Sequence, residues 1–161
     1  MKLNLEYTIM LVSMMINLLL LIFAVNWRYF RDWIVIYLFK ALLDMIAGSL
    51  VIEMKLIEYP VRLLPNYFQT SLFFELCAFP TLCILYNQVT KERGLWPIIY
   101  YAVLFSAGMT LVEYPLELYT DLIEYINWSW FTTLYTLTGT FLLSRVFIAF
   151  YRRGCDYFSA K

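Results

Sequence analysis

Long apolar runs constrain this chain more than any other feature of its sequence. A helix that crosses the hydrocarbon core of a bilayer needs about 20 mostly apolar residues. Of the 161 residues, 63% are hydrophobic and only 15% are charged, whereas a soluble domain is nearer half apolar and a quarter charged. We therefore predict an all-α, polytopic transmembrane helix bundle that forms one domain. Its five spans are expected at residues 7–26, 34–57, 70–87, 96–114 and 128–151.

The basic residues of the short connections predict the orientation, because lysine and arginine are enriched in cytoplasmic loops. With the N-terminus outside and the C-terminus inside, seven basic residues face the cytoplasm and three face out. The seven are Arg28, Arg31, Lys91, Arg93, Arg152, Arg153 and Lys161, and the three are Lys2, Lys55 and Arg62.

The fourth connection, residues 116–127, reinforces this orientation because it has no basic residue and three acids. Glu117, Asp121 and Glu124 fall on one helical face, with apolar residues opposite. This pattern predicts an interfacial amphipathic helix whose polar face is acidic.

Charged residues within a membrane are costly and usually pair with one another. Lys40 and Asp44 lie one helical turn apart in the second span, and Arg145 lies at a similar depth in the fifth. We expect Asp44 to lie between the two cations as an interhelical ionic clamp. The alternative is a gate or a proton-relay element.

A second group of charged residues is acidic and lies towards the outer face. Glu53 and Glu75 are each about 9–10 Å inside the outer boundary, on consecutive antiparallel helices, and Glu58 and Glu113 lie at that boundary. Two carboxylates in a low dielectric cannot both ionise cheaply, so they tend to hold a proton or share a cation. These four residues are therefore the candidate ion, proton or interaction site.

The alternative interpretation of this group is structural. Glu53 would point to the lipid headgroups, or Lys55 and Arg62 would neutralise the carboxylates. Glu53 is about 180° around its helix from Asp44, at 3.6 residues per turn, so the two cannot face one bundle axis. That geometry favours the structural interpretation.

Pro80, in the third span, removes one helical hydrogen bond and frees a carbonyl near Leu76, next to Glu75. Broken helices beside acidic residues occur at transporter ion sites. Proline kinks are also ordinary in membrane helices.

Several chemistries are excluded by composition. The chain has no histidine and three cysteines without a C-x-x-C motif, which argues against the usual metal sites and catalytic dyads. Nucleotide-binding glycine loops, zinc motifs and nucleophile elbows are missing from the sequence. The formal net charge of zero offers no footprint for nucleic acid. We expect no catalytic residue, no metal and no cofactor, and a chain that is not an enzyme.

Four segments together resemble one protein family. They are FKALLD at 39–44, LIEYPVR at 56–62, FELCAFPTLCILYN at 74–87 and ELYTDLIEYINWSW at 117–130. They are similar to a family of small five-span membrane proteins of spore-forming Gram-positive bacteria, most specifically in IEYPVR and YTDLIxYxxWxW. The resemblance implies five spans and a bacterial plasma membrane, and it implies no activity.

Two functions remain open at this point. The favoured one is a non-enzymatic assembly or interaction protein of the lipid bilayer, which associates with copies of itself or with a membrane partner protein. The alternative is a small cation- or proton-coupled transporter or channel subunit that uses Glu53, Glu75 and Glu113. Convergence of Glu53 and Glu75 on a water-filled cavity would favour the alternative, whereas a Glu53 that faces lipid would count heavily against it.

Overall fold

The computed structural model describes residues 2–159, and within them the fold is all-α apart from one short strand pair. The helices are α1 (Lys2–Leu19), α2 (Phe30–Glu53), α3 (Phe79–Thr90), α4 (Leu95–Tyr119) and α5 (Trp130–Ser159). The strands are β1 (Ile57–Glu58) and β2 (Glu124–Tyr125), which pair antiparallel with Ile57 opposite Tyr125. Of the residues used to predict orientation, Lys161 and the side chain of Lys2 lie outside the described part of the chain.

Four helical segments in the described residues are long and apolar enough to cross a bilayer. They are Leu5–Ala24, Trp27–Glu53, Leu95–Tyr119 and Trp130–Phe158. The prediction of an all-α chain with apolar helices of membrane-spanning length is confirmed.

The third predicted span is a shorter and irregular segment. A π-helical turn, Phe74–Ala78, precedes α3, and the Phe79 N–H bonds to the carbonyl of Phe74, five residues back. Pro80 has no N–H, so the Leu76 carbonyl cannot accept the usual α-helical hydrogen bond. It accepts one from the hydroxyl of Tyr37 on α2 instead. The freed carbonyl that the sequence predicted is therefore present, and it ties this segment to α2.

Aromatic side chains surround α3, in which seven of the twelve residues are buried. Tyr86 is fully buried, and its ring lies 6.1 Å from Phe105 on α4 and 5.3 Å from Phe141 on α5. Phe39 and Phe147 stack at 4.0 Å and join α2 to α5. Such pairs stabilise by about 0.5–1.5 kcal/mol each beyond their buried area.

One end of the bundle, here called the basic end, consists of the α1–α2 turn, the α3–α4 turn and the last turns of α5. Gln88 joins the two turns: its side-chain amide donates to the Ala24 carbonyl at 2.9 Å and accepts from the Asn26 N–H at 2.7 Å. The Arg152 guanidinium donates to Asp32 at 3.0 Å and so holds α5 against α2.

The opposite end is covered by two loops, residues 54–71 and 120–129, here called the cap. After α2, Lys55 takes a left-handed backbone conformation (φ 53°), and the N–H groups of Lys55 and Leu56 bond to the carbonyls of Ile52 and Val51. This is a Schellman motif, which satisfies the last carbonyls of a helix. It turns the chain across the bundle into β1.

Backbone hydrogen bonds join the two loops of the cap. Besides the strand pair, the Leu56 carbonyl accepts from the N–H groups of Ile126 and Asn127, and the Val61 N–H donates to the Asp121 carbonyl at 2.9 Å. The cap is therefore one hydrogen-bonded unit built from two distant parts of the sequence.

The prediction of an interfacial helix over residues 116–127 is wrong. Helix α4 continues to Tyr119, and the chain then runs extended into β2. A helix would leave the backbone groups of β1 without their partners, so the pairing with β1 decides the conformation here.

Candidate functional site

A cavity of about 150 Å³ lies under the cap, between α2, α4, α5 and the π-helical turn. Three carboxylates line it, one from each of three segments: Asp44 from α2, Glu75 from the π-helical turn and Glu113 from α4. The threonines of α5 and the aromatic rings of the cap complete the wall. The other lining residues are Ala47, Gly48, Val51, Ile57, Tyr59, Phe79, Trp128, Thr133, Thr136, Leu137 and Thr140. We call it the carboxylate cavity.

Glu75 is the carboxylate that the protein leaves unsatisfied. Glu75 is 2% exposed, and neither of its oxygens makes a hydrogen bond of normal length and angle within the described residues; the Thr70 side chain lies beside it. The carboxylate lies directly over Gly48, where an added Cβ would be 1.9 Å from Oε1. Glycine at position 48 therefore makes the space that Glu75 occupies.

Glu113 is held by the cap and by α5. The Tyr125 hydroxyl lies 3.2 Å from Glu113 Oε2 and donates to it, and the same hydroxyl lies 3.1 Å from the Thr133 hydroxyl. Burial, and the negative charge of Glu113, raise the pKa of Tyr125, so this phenol keeps the proton that it donates. The Trp128 indole N–H also bonds to Thr133, at 2.8 Å. Glu113 thus has partners where Glu75 has none.

Asp44 pairs with Lys40 at the inner side of the cavity. The fully buried Lys40 ammonium lies 2.6 Å from Asp44 Oδ1 and 2.9 Å from the Thr140 hydroxyl of α5. The rings of Phe79 and Phe141 lie 5.5 and 5.6 Å from it, within cation–π range. Asp44 Oδ2 is buried and has no partner among the described side chains.

Arg145 lies apart from this pair, so the expected clamp has two members instead of three. Its guanidinium donates to the Lys91 carbonyl at 2.6 Å, at the C-terminal end of α3. A cation is favourable there because the carbonyls at a helix C-terminus carry partial negative charge. Asp44 joins the carboxylates of the cavity instead.

Two of the four acids of the predicted outer site lie away from the cavity. Glu53 and Glu58 are exposed, whereas Glu75 and Glu113 line the cavity. Neither of the nearby cations neutralises the cavity. Lys55 is exposed, and Arg62 donates to the backbone carbonyls of Tyr59 and Phe68 at 2.6 and 2.8 Å.

Sequence reasoning missed several residues that build the site. Thr136 and Thr140 belong to a run of hydroxyls at helical spacing in α5, a pattern that usually marks a packing seam. Tyr59 and Trp128 have the positions of aromatic residues at a membrane interface. In each case the sequence pattern has a common structural explanation. Only the contact between the cap and α5 in the folded chain places these side chains around one cavity.

Glu6 was also missed, because it precedes the first predicted span. Its side chain is 2% exposed, and Oε1 accepts a hydrogen bond from the Asp121 N–H at 2.8 Å. It therefore fixes α1 to the cap.

The charges of the cavity do not balance. Three carboxylates line the wall, and within the described part of the chain one ammonium group, that of Lys40, pairs with one of them, Asp44. A buried anion without a partner is strongly disfavoured, and it takes up a proton or binds a cation. The cavity is therefore suited to hold positive charge.

Neither a family model, nor a curated protein, nor a solved structure matches this chain. Function is therefore inferred from the geometry of the cavity.

The contact between Gly48 and Glu75 predicts that a methyl group added at position 48 destabilises the protein. Gly48→Ala places Cβ against the Glu75 carboxylate and is expected to lower the free energy of unfolding by about 1–3 kcal/mol. Glu75→Ala in the same chain removes the clash and should restore most of that loss. Unfolding in mixed micelles measures both. Gly139→Ala is the matched control, since nothing lies within 4 Å of that Cβ position. An equal loss at Gly139 would contradict the contact.

The buried ion pair predicts that removing one partner costs more stability than removing both. Lys40→Met leaves Asp44 buried and uncompensated, and it should cost about 3–5 kcal/mol of unfolding free energy. The double variant Lys40→Met, Asp44→Asn should recover most of it, because no buried charge is left. Arg152→Met serves as the control: its pair with Asp32 is partly exposed, so a loss of about 0–1 kcal/mol is expected. A double variant no more stable than Lys40→Met would show that the pair is not the source of the loss.

Proposed function

We propose that this chain is an integral membrane protein that binds protons or small cations in the carboxylate cavity, as a cation- or proton-coupled transporter or channel subunit. The observation that carries the proposal is Glu75, a buried carboxylate without a hydrogen-bond partner in a cavity that it shares with Asp44 and Glu113. Ionisable residues inside membrane segments are costly, and they mark ion and proton pathways in many pumps and transporters.

The local backbone supports the same proposal. Glu75 lies within one of two π-helical turns among the described residues; the other, Leu20–Ala24, follows α1 and does not line the cavity. Such turns frequently occur at functional sites. Irregular helix segments beside acidic residues also form the ion sites of several transporter folds. The expected convergence of Glu53 with Glu75 is not found, because Glu53 is exposed and lies outside the cavity. The proposal is based instead on Glu113 and Asp44, which line the cavity together with Glu75.

An assembly or interaction protein is the second candidate function. Helix α1 supports it, because only 6% of the residues in its apolar 18-residue stretch are buried, against 28% in the corresponding stretch of α5. A homo-oligomer or a membrane partner protein would cover this surface. Assembly is compatible with transport, since several copies would each contribute a cavity.

We infer five spans with the N-terminus outside and the C-terminus in the cytoplasm of a bacterial plasma membrane. The π-helical turn and α3 together run from the cap to the basic end, as the four longer helices do. The excess of lysine and arginine at the basic end favours the cytoplasm for that end. The resemblance to small five-span proteins favours the same count and location.

This topology predicts which cysteines a membrane-impermeant thiol reagent reaches. The exposed Cys155, near the end of α5, should be labelled only after the cells are permeabilised. Glu58→Cys, in a chain whose three native cysteines are replaced by alanine, should be labelled in intact cells. In intact cells, labelling of Cys155 without labelling of the cysteine at position 58 would mean that the orientation is the reverse of the one inferred. Labelling of both sites from one side would mean that α3 does not span the membrane.

The proposed function predicts a flux that depends on Glu75. Proteoliposomes with a pH-sensitive dye inside, driven by a potassium diffusion potential, should acidify faster than protein-free vesicles. Glu75→Gln keeps the shape and removes the charge, so the rate should fall about tenfold or more, as expected for the loss of one charge-assisted interaction.

Glu53→Gln is the matched control for this flux, since Glu53 is an exposed carboxylate on α2. Its rate should equal that of the wild type. The same comparison is made with a sodium- or potassium-sensitive dye in place of the pH dye. A rate unchanged by Glu75→Gln with every dye, or no flux above that of empty vesicles, would rule the proposal out.

A further inference from the structure

The carboxylate cavity has an apolar side that a proton or a bare ion does not need. Tyr59, Phe79 and Trp128 contribute aromatic rings to its wall, and Ile57 and Leu137 contribute aliphatic groups. Its volume of about 150 Å³ equals that of an apolar cavity that holds one benzene molecule. The cavity is therefore large enough for a molecule with an apolar body.

The carboxylates are spread around the wall and do not form a chelating cluster. Among the described residues, no group of three carboxylate, thiol or imidazole side chains is arranged to hold a metal ion. Hard cations such as calcium require six to eight oxygen ligands at 2.3–2.6 Å. A ligand that meets one or two carboxylates at a time fits this spacing better.

Of these carboxylates, Glu75 is free to meet a ligand. Glu113 already accepts the Tyr125 hydroxyl, and Asp44 Oδ1 accepts the Lys40 ammonium. Both oxygens of Glu75, and Oδ2 of Asp44, have no partner among the described residues. A positively charged group with hydrogen-bond donors would satisfy these oxygens.

The protein already binds such a group once, within its own chain. The Lys40 ammonium is an alkylammonium ion held by one carboxylate, one threonine hydroxyl and two phenyl rings. The rest of the cavity wall has groups of the same kinds: the carboxylate of Glu75, the hydroxyl of Thr136, and the rings of Tyr59 and Trp128. The same kind of group, an alkylammonium ion, is therefore expected to fit the cavity.

We propose that the carboxylate cavity binds a small organic ammonium ion, with the ammonium group at Glu75 and the apolar body against the aromatic side of the cavity. The inference rests on the proposed function in that it names the class of cation for the same site. An ammonium group supplies donors for the carboxylate oxygens, and charge-assisted hydrogen bonds of this kind are about twice as strong as neutral ones. Aromatic rings add cation–π attraction.

Binding of benzylammonium to the full-length protein in detergent tests the inference, measured by titration calorimetry. Benzyl alcohol is the matched neutral compound, with the same ring and a similar polar end. Benzylammonium should bind wild-type protein at least about tenfold more tightly than benzyl alcohol, because only the cation pairs with Glu75. Glu75→Gln should remove this preference, and Glu53→Gln should keep it.

A second variant keeps the test valid if Glu75→Gln does not fold. Leu137→Phe fills the apolar side without changing any charge, and it should weaken binding of both compounds. Equal affinity for the two compounds in wild-type protein would overturn the inference. So would benzylammonium binding that neither substitution weakens.

The outcomes also separate this inference from the proposed function. If Glu75-dependent flux is observed and benzylammonium does not bind, the ammonium ligand is wrong and the transport function stands. If benzylammonium binds through Glu75 and neither proton flux nor uptake of benzylammonium into proteoliposomes is observed, the ligand class stands and the transport function is wrong.

Discussion

A fully buried lysine requires a partner for each part of its ammonium group, and much of this interior is arranged to meet that requirement. Asp44 lies one turn further along α2, Thr140 approaches from α5, and Phe79 brings a ring from α3. Removing a charge from water costs several kcal/mol unless such partners are present. The Lys40 ammonium therefore links three helices. Its partners Asp44, Phe79 and Thr140 also form one side of the cavity.

Local periodicity was enough to predict part of this arrangement. The spacing of Lys40 and Asp44 predicts a contact within one helix, and the structure has it at 2.6 Å. The same periodicity places Glu53 on the opposite side of α2, and Glu53 is exposed. Both inferences needed only the geometry of a single helix. The apolar helices of membrane-spanning length followed from composition in the same way.

Contacts between distant segments could not be predicted in this way. Arg145 has the right depth for Asp44, yet its guanidinium bonds to the end of α3, because rotation about the helix axis decides which neighbour it meets. The prediction of a helix in the cap was wrong for a related reason. Residues 116–127 have an amphipathic pattern, but backbone pairing with β1 determines their conformation. Pro80 is the exception, since the loss of an N–H has a local consequence that the sequence shows directly.

The strand pair of the cap joins parts of the chain that are made at very different times during translation. Asp44 and Glu75 belong to the earlier segments, whereas Glu113, Thr133 and Thr140 belong to α4 and α5. Until the later helices are inserted, the early carboxylates have neither the full wall of the cavity nor the pairing of β1 with β2 above them. Completion of the site is thus a late event in biogenesis, and a ribosome that stops before α5 would leave a charged, open groove in the membrane.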